Sequence, residues 1–353
     1  MKIAGICFTQ AGFTLLQWIQ EILQKEGHET KIACKSRFTE KGHPSELKED
    51  LKGWTEKRFQ DSDALIFVGA TGITVRTIAP YIKDKRQDPA VIVLDERGKF
   101  CIPLLSGHIG GANELAVWMA EQLQATPVLT TATDVNKKFA VDVYAARHNM
   151  VLSNMTYAKE VSASLLSGYP VGFQSDFTVE GKLPDGFVWA GRLQPENKDE
   201  VSLGISISPS YQNQYFDHCL WLIPRCITLG IGCRKGATME QIEHLVDQVL
   251  KEQYLYPEAL CQVATIDLKA EEPGLLKFCR KYQLPLKTYT AEELSRAEGA
   301  FSASEFVEEI TGVDNVCERS AVLAGDGELF VRKTSGDGVT CACVRKDWRI
   351  CFE

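Results

Sequence analysis

The stretch LIFVGATGITVR, residues 65–76, contains a short apolar run, a glycine-rich turn and the start of an amphipathic segment. A run rich in β-branched and aromatic residues is typical of a buried strand, and the turn after it leads into a helix. The same order of strand, loop and helix occurs at residues 3–23 and again at residues 227–250. Strands that alternate with helices predict a layered α/β protein.

The segments around this stretch predict an N-terminal α/β domain over residues 1–133. Residues 3–8 read as a strand, and the helix after it has an apolar stripe of Leu15, Trp18, Ile19, Ile22 and Leu23. Residues 91–94 and 100–105 flank a polar turn and predict a hairpin-like pair of strands. Further along, the pattern predicts a helix that contains Leu115 and Met119, and then a strand over residues 128–131.

Two further modules follow. Residues 134–224 form a smaller mixed α/β module, with a helix at 155–166, short β-like runs, and a polar loop at 194–200. Residues 225–353 restart the alternation as a second layered α/β domain. There Thr238 and Gln241 predict a capping box, and the SGDG sequence at 335–338 predicts a hairpin turn.

Composition excludes several functional classes. The 353 residues carry 39 Lys and Arg against 47 Asp and Glu, a net charge of −8, and no basic block. Nucleic-acid binding is therefore not expected. The longest apolar-or-glycine run, residues 64–70, is far below the ~20 residues that span a bilayer, so no membrane contact and a cytoplasmic location are expected. The 12 cysteines show no C-x-x-C spacing and predict core thiols rather than a metal site.

The segment LSGHIGGANE, residues 105–114, is the strongest candidate for a functional site. It lies between a predicted strand and a predicted helix, where glycines and a helix N-terminus favour a bound anion. His108 and Glu114 are the candidate acid and base beside a carboxylate or a developing oxyanion. The amides of residues 109–112 are the candidate oxyanion donors. A simple strand-to-helix turn capped by Ser106 or Asn113 is the alternative.

Two other loops suit anions. The loop GATGITVR, residues 69–76, offers hydroxyls and Arg76, but it lacks the lysine of a phosphate-binding P-loop and the spacing of a dinucleotide fingerprint. The loop GIGCRKG, residues 230–236, places Arg234 and Lys235 at a helix entry, and Cys233 there is either an activated nucleophile or a packed thiol. A solvated turn is the alternative for Arg76.

Other polar groups are weaker candidates. His218 and Cys219, with Cys226 and Cys233 beyond them, have irregular spacing that favours core packing over a metal site. Asp134 and Asp142 are explained as surface caps.

Five segments in order resemble the cobalt-precorrin-5A hydrolase family, the CbiG proteins of cobalamin biosynthesis. They are the loops at 69–76 and 106–116, the AVD sequence at 140–142, the loop at 230–236, and GVDNV at 312–316 with the final hairpin. The resemblance implies a hydrolase that opens the ring A δ-lactone of cobalt-precorrin-5A and releases acetaldehyde to give cobalt-precorrin-5B. It also implies no cofactor of the protein's own, because the cobalt arrives with the anionic tetrapyrrole substrate.

Roles for individual residues follow as expectations. His108 or Glu114 would be the catalytic base. The expected substrate-binding residues are Gly69, Thr71, Gly72, Thr74, Arg76, Ser106, Gly107, Gly110, Gly111, Asn113, Gly232, Arg234 and Lys235. Methyltransferases of the corrin pathway are expected partners.

Two other functions are alternatives to the hydrolase. A non-catalytic protein that binds and carries a corrinoid intermediate would need the cationic loops but no acid–base pair. An unrelated nucleotide-binding enzyme would need the phosphate-loop lysine that the loop at 69–76 lacks.

Overall fold

A computed structural model describes residues 1–34, 43–84, 87–108, 110–136, 138–192 and 201–352. Its contacts divide the chain into two compact units, Met1–Val143 and Tyr144–Glu353. Both units combine parallel strands with helices, which confirms the predicted α/β class. The division into three modules stays a prediction. The polar loop expected at 194–200 lies outside the described residues.

The first unit is built on a six-stranded sheet. Its strands are β1 (Lys2–Cys7), β2 (Glu29–Cys34), β3 (Ala64–Val68), β4 (Ala90–Leu94), β5 (Phe100–Leu105) and β6 (Thr126–Pro127). Their order across the sheet is β2-β1-β3-β4-β5-β6. The first four are mutually parallel, β5 is antiparallel to β4, and β6 is parallel to β5. Strands β3 and β4 are buried at every position, as expected of parallel strands covered on both faces.

Among the described residues of this unit, six helices connect or follow the strands. They are α1 (Gln10–Lys25), α2 (Leu51–Asp61), α3 (Thr71–Ile78), α4 (Ala112–Leu123), α5 (Ala132–Val135) and α6 (Val141–Arg147). Helix α1 buries Phe13, Leu16, Ile19 and Leu23, whereas Trp18 is 48% exposed. Trp18 was therefore wrongly placed on the buried stripe. Its neighbour Ile19 lies on the face that packs against the sheet.

The strand expected at residues 128–131 is wrong. Pairing in β6 ends at Pro127, and the amide of Val128 makes one further bond to the carbonyl of Cys101 at 2.9 Å. The chain then turns so that the Thr131 hydroxyl accepts a hydrogen bond from Asn113, and α5 begins directly afterwards.

The second unit contains two five-stranded sheets and one strand pair. Its strands are β7 (Met150–Leu152), β8 (Val171–Ser175), β9 (Thr178–Glu180), β10 (Phe187–Trp189), β11 (Leu203–Ile207), β12 (His218–Pro224), β13 (Ile227–Cys233), β14 (Leu260–Ile266), β15 (Leu286–Tyr289), β16 (Gly327–Gly336), β17 (Val339–Lys346) and β18 (Arg349–Cys351). One sheet has the order β10-β8-β11-β12-β7, the other β15-β14-β13-β17-β16, and β18 pairs with β9. A single apolar cluster joins the two sheets, with Trp221 and Ile223 from the first packed with Ile227 and Leu229 from the second.

The helices of this unit follow their sequence signals closely. They are α7 (Met155–Leu166), α8 (Met239–Glu252), α9 (Pro273–Tyr282), α10 (Ala291–Ser295), α11 (Glu305–Thr311) and α12 (Cys317–Gly325). Thr238 and Gln241 form the predicted capping box at the start of α8. The predicted hairpin is also confirmed, because Asp337 and Gly338 have φ of +49° and +76°, the left-handed pair that a tight two-residue turn requires.

Candidate functional site

The loop between β5 and α4 is shaped by close backbone packing. Ser106 has a φ of +56°, and its hydroxyl donates to the carbonyl of Asp88 at 2.9 Å. A Cβ atom at Gly110 would lie 2.4 Å from the Cβ of Ser106, so only glycine fits there. Gly111 has a φ of +79° and precedes the first residue of α4. These residues build the turn, and their backbone requirements account for the glycines without a ligand.

Three amide groups of this loop are occupied within the turn. The amide of Gly111 donates to the carbonyl of His108, that of Ala112 to Ser106, and that of Asn113 to Gly107, at 2.9, 3.2 and 2.9 Å. The predicted oxyanion hole is therefore wrong for Gly111 and Ala112, because their N–H groups already have acceptors. Ile109, the first residue of that predicted set, lies outside the described residues.

An imidazole and a carboxylate meet beside this loop. The Nδ1 atom of His108 lies 3.7 Å from the Oδ1 atom of Asp142, and the two side chains are 19% and 14% exposed. Asp142 is in the first turn of α6, where its Oδ1 also accepts from the amide of Val143 at 3.0 Å. A carboxylate beside one ring nitrogen fixes the orientation of a histidine and stabilises its protonated form. The pair can therefore perform acid–base chemistry.

Asp142 is a candidate functional residue that the sequence did not identify, because it was interpreted there as a surface cap. The capping bond exists, but the same carboxylate also faces His108. The AVD sequence at 140–142 was one of the five segments of the family resemblance, and that was the signal that could have identified it.

Asn113 and Glu114 differ in their surroundings although they are adjacent. Asn113 is 8% exposed, and its Nδ2 donates to the Thr131 hydroxyl at 2.7 Å, which ties the loop after β5 to the segment after β6. Glu114 is exposed in the first turn of α4, where a negative charge is favoured by the helix dipole. His108, mostly buried beside a carboxylate, has the better surroundings for a catalytic base.

The loop at 69–76 lies at the opposite edge of the same sheet. The Gly69 amide donates to the carbonyl of Leu94, at the carboxyl end of β4. Ser106 instead follows Leu105, which pairs with Val91 near the amino end of that strand. Leu94 and Val91 are three residues apart along β4, so the two loops are separated by about 10 Å at ~3.3 Å per residue. The structure therefore does not bring Gly69, Thr71, Gly72 and Arg76 together with His108.

Within the loop at 69–76, the cation is the accessible group. Arg76 is exposed, and its Nη2 atom lies 3.6 Å from the position that a Cβ of Gly72 would take, along the first turn of α3. Thr74 is fully buried with a hydroxyl that has no hydrogen-bond partner. Its expected contact with substrate stays a prediction.

The loop at 230–236 follows β13 in the second unit. Arg234 and Lys235 are exposed, and the amide of Gly236 donates to the buried carboxylate of Glu272 at 2.9 Å. Gly232 is required by packing, since a Cβ there would lie 2.6 Å from the Thr340 hydroxyl. Arg234 and Lys235 are therefore exposed on a turn whose backbone is fixed by the hydrogen bond from Gly236 to Glu272.

The surroundings of Cys233 are not those of an activated nucleophile. Burial raises the pKa of its thiol above the ordinary value, and the positive charge of Lys269 only partly offsets this. A nucleophilic cysteine needs a lowered pKa so that the thiolate forms near neutral pH. These surroundings favour the packed thiol over the activated nucleophile.

The candidate metal set around His218 is not assembled. His218 is exposed and lies 3.3 Å from the Tyr157 hydroxyl, whereas Cys219 and Cys226 are buried. Within the described residues, no three histidine, cysteine or acidic side chains are grouped so that they could hold a metal ion. In the same part of the chain, no helix is both long and apolar enough to cross a membrane.

Fold and site together define an α/β protein with a His–Asp pair at a glycine-rich strand-to-helix loop. Three family models match it in order: "Cobalamin synthesis G N-terminal" at residues 53–134, "Cobalamin biosynthesis central region" at 139–224, and "Cobalamin synthesis G C-terminus" at 227–344. The chain belongs to this cobalamin synthesis G family, CbiG, which confirms the resemblance found in the sequence.

Two relatives carry the same functional name. The cobalt-precorrin-5A hydrolase of Salmonella typhimurium strain LT2 is 38% identical over 288 residues, which cover 80% of this chain and 82% of the relative. The cobalt-precorrin-5A hydrolase of Priestia megaterium is 31% identical, over 79% of this chain and 78% of its own. A solved structure of a putative cobalamin biosynthesis protein G homologue from Sulfolobus solfataricus aligns over 98% of this chain and 97% of its own, with 23% identity and a TM-score of 0.41.

Proposed function

We propose that this protein hydrolyses cobalt-precorrin-5A in cobalamin biosynthesis and that His108, oriented by Asp142, is its acid–base group. Membership of the CbiG family supports the reaction. The observation that carries the residue assignment is the 3.7 Å approach of the His108 imidazole to the Asp142 carboxylate. Apo sites commonly show such contacts slightly longer than a hydrogen bond, and they shorten when substrate binds.

The proposed chemistry begins with opening of the δ-lactone. Asp142 faces Nδ1, so the proposal assigns proton transfer to Nε2 of His108. Nε2 takes a proton from water as the water oxygen bonds to the lactone carbonyl carbon. When the lactone C–O bond breaks, the same proton returns to the departing alkoxide, and atoms and charge balance. In the second step Nε2 takes the O–H proton of the alcohol as its C–C bond to the macrocycle breaks. The two-carbon fragment leaves as acetaldehyde, and the electron pair of the broken C–C bond passes into the conjugated macrocycle, which is protonated in turn.

The exposed cations form the second part of the proposal. Arg76 in the first unit and Arg234 and Lys235 in the second are solvent-accessible at loop or helix positions. The macrocycle carries several carboxylates, and arginine binds carboxylates through two parallel hydrogen bonds. Since Arg76 lies at the other edge of the sheet from His108, its carboxylate partner must be remote from the lactone.

The cobalt belongs to the substrate in this proposal, and no cofactor of the protein's own is assigned. The expected cytoplasmic location stays a prediction. Delivery of substrate by a methyltransferase of the corrin pathway stays a prediction.

The decisive experiment incubates the purified protein with cobalt-precorrin-5A and traps the released aldehyde with a hydrazine reagent. We expect stoichiometric acetaldehyde and a change in the absorption spectrum of the macrocycle. Tight binding with an unchanged spectrum and no aldehyde would instead establish a carrier protein and overturn the hydrolase assignment.

A further inference from the structure

The second unit contains a polar cleft at the carboxyl ends of two parallel strands. Asp176 directly follows β8 and Ser208 directly follows β11, and the amide of Asp176 donates to the carbonyl of Ile207 at 3.1 Å. The cleft has a volume of about 180 Å³ and continues into a second one of about 270 Å³. Ligands of open α/β sheets bind outside the carboxyl ends of the strands, so the location is one that proteins commonly use.

The walls combine neutral polar groups with aromatic rings. Trp221 and Phe330 supply apolar surface. The neutral polar side chains are those of Ser208, Ser210, Gln212, Asn213 and Gln253. Ser208 is 2% exposed, and its hydroxyl donates to the carboxylate of Asp176. That bond holds Asp176 at the mouth of the cleft.

The two charged groups common to both clefts are Asp176 and Arg345. The Arg345 guanidinium lies 5.9 Å from the centre of the Phe330 ring and 3.4 Å from the carboxylate of Glu328. Glu328 is 71% exposed. Exposed ion pairs of this kind contribute little, so the carboxylate of Glu328 is readily exchanged for that of a ligand.

We propose that this cleft binds a compact zwitterion, a molecule the size of an amino acid with one carboxylate and one ammonium group. The carboxylate replaces Glu328 on Arg345, and the ammonium group binds Asp176. A ligand with a single charge would remove water from both protein charges but would place an opposite charge beside only one of them, which is costly. The first cleft, with a volume of about 180 Å³, has room for a molecule of this size between the two charged groups.

The test is a calorimetric titration of the full chain with β-alanine. Propionate and propylamine carry one of its two charges each, and glycerol carries neither. We expect β-alanine to bind at least tenfold more tightly than any of the three. If propionate bound as tightly as β-alanine, the cleft would be a site for carboxylates alone. If glycerol bound as tightly, it would be a site for polyols. If no probe gave any heat of binding, the cleft would not be a binding site for molecules of this kind. Each of these results overturns the proposal.

Substitutions of the charged residues of the cleft should change its affinity for β-alanine in opposite directions. Arg345→Gln and Asp176→Asn each remove one charge that binds the ligand, and each should weaken β-alanine at least tenfold. Glu328→Gln removes the competing carboxylate and should strengthen binding several-fold. Glu292→Gln is the matched control, because it removes an exposed carboxylate that pairs with Arg296 elsewhere. If Glu328→Gln leaves the affinity unchanged or weakens it, Arg345 does not bind the carboxylate. The titration does not depend on hydrolase activity, so either proposal can fail alone.

Discussion

The contact between His108 and Asp142 is the most informative one for the chemistry. Both side chains are largely shielded from water, which strengthens their interaction relative to an exposed pair. Glu114, the other candidate base, is more exposed than His108. Burial and a charged neighbour are what usually distinguish a catalytic side chain from a surface one.

The first prediction separates these two candidates. We expect His108→Ala to lower kcat by about 10²- to 10⁴-fold, the usual contribution of a positioned acid–base group, and Glu114→Gln to change it less than threefold. Asp142→Asn should also lower kcat, by up to about 10⁴-fold, because the amide would hold the imidazole in the wrong tautomer. Initial rates of acetaldehyde release measure all three.

The control for this set is His244→Ala, which removes an exposed imidazole from α8. It should retain full turnover. If His108→Ala also turned over at the rate of the unaltered protein, His108 would have no part in the mechanism. A large loss in Glu114→Gln would transfer the role of base to that carboxylate.

Cys233 carries the second prediction. Because burial raises the pKa of this thiol, it stays protonated at neutral pH, and its thiolate fraction grows only as the pH rises beyond the range of an ordinary cysteine. We expect iodoacetamide to modify Cys233 more slowly at pH 7.5 than it modifies free cysteine, with the rate still increasing above pH 9. Peptide mass spectrometry of timed samples gives the rate for this residue. A rate at pH 7.5 above that of free cysteine would restore the nucleophile interpretation.

Among the secondary-structure elements, the contact of β13 with α12 has no room for a side chain. A Cβ atom at Gly230 would lie 1.8 Å from the carbonyl oxygen of Cys317 and 2.8 Å from the Cβ of Ala321. Gly230 lies in the centre of its sheet, between β14 and β17. The glycines of the loop at 230–236 therefore serve packing as well as any role in binding.

The third prediction follows from that contact. We expect Gly230→Ala to lower the free energy of unfolding by about 3 kcal/mol, the upper end of the usual cost of overpacking a core. Gly72→Ala is the matched control. Its new methyl group would meet only the end of Arg76 at 3.6 Å, so it should be neutral or stabilise α3 by up to ~1 kcal/mol. Urea unfolding followed by circular dichroism measures both, and equal stabilities of the two variants would contradict the packing argument.

Helices with strong local signals were predictable from the sequence. Helix α8 has its predicted capping box, and the apolar residues that recur at helical spacing along it are all buried: Ile242, Leu245, Val246, Val249 and Leu250. Helix α7 also begins and ends at the predicted residues, 155 and 166. Capping and periodicity are properties of neighbouring residues, so one sequence contains enough information to predict them.

Contacts between distant segments were not predictable in the same way. Glu318 is fully buried in α12 although its sequence is that of a surface helix. Its carboxylate accepts hydrogen bonds from the amides of Ser302 and Lys333 and from the side chain of Asn315, at 2.7, 2.7 and 2.9 Å. Asn315 is a local partner, three residues before Glu318, but Ser302 and Lys333 come from two other segments, and no local pattern indicates that they converge on this carboxylate.

At the scale of the whole molecule, the direction of one strand decides which loops share a site. Because β5 is antiparallel to β4, the loop after it lies at the opposite edge from the loop at 69–76. The sequence showed two glycine-rich loops after two strands and did not reveal the reversal. The pairing of His108 with Asp142 depends on the same long-range topology, since 34 positions separate them in the chain.

The last residues of the chain close the second unit, which leads to the fourth prediction. Strand β18 pairs with β9, Ile350 is fully buried, and the Phe352 ring contacts Phe173 at 5.4 Å and stacks on Tyr144 at 5.1 Å. We expect Phe352→Ala to lower the free energy of unfolding by about 3 kcal/mol, at the lower end of the cost of truncating a buried phenylalanine, because the residue is half-buried. Arg349→Gln is the control. It removes only an exposed ion pair with Glu180 and should cost less than ~1 kcal/mol. Urea unfolding should move to a lower midpoint for Phe352→Ala alone, and a shared midpoint would show that the terminal segment does not stabilise the unit.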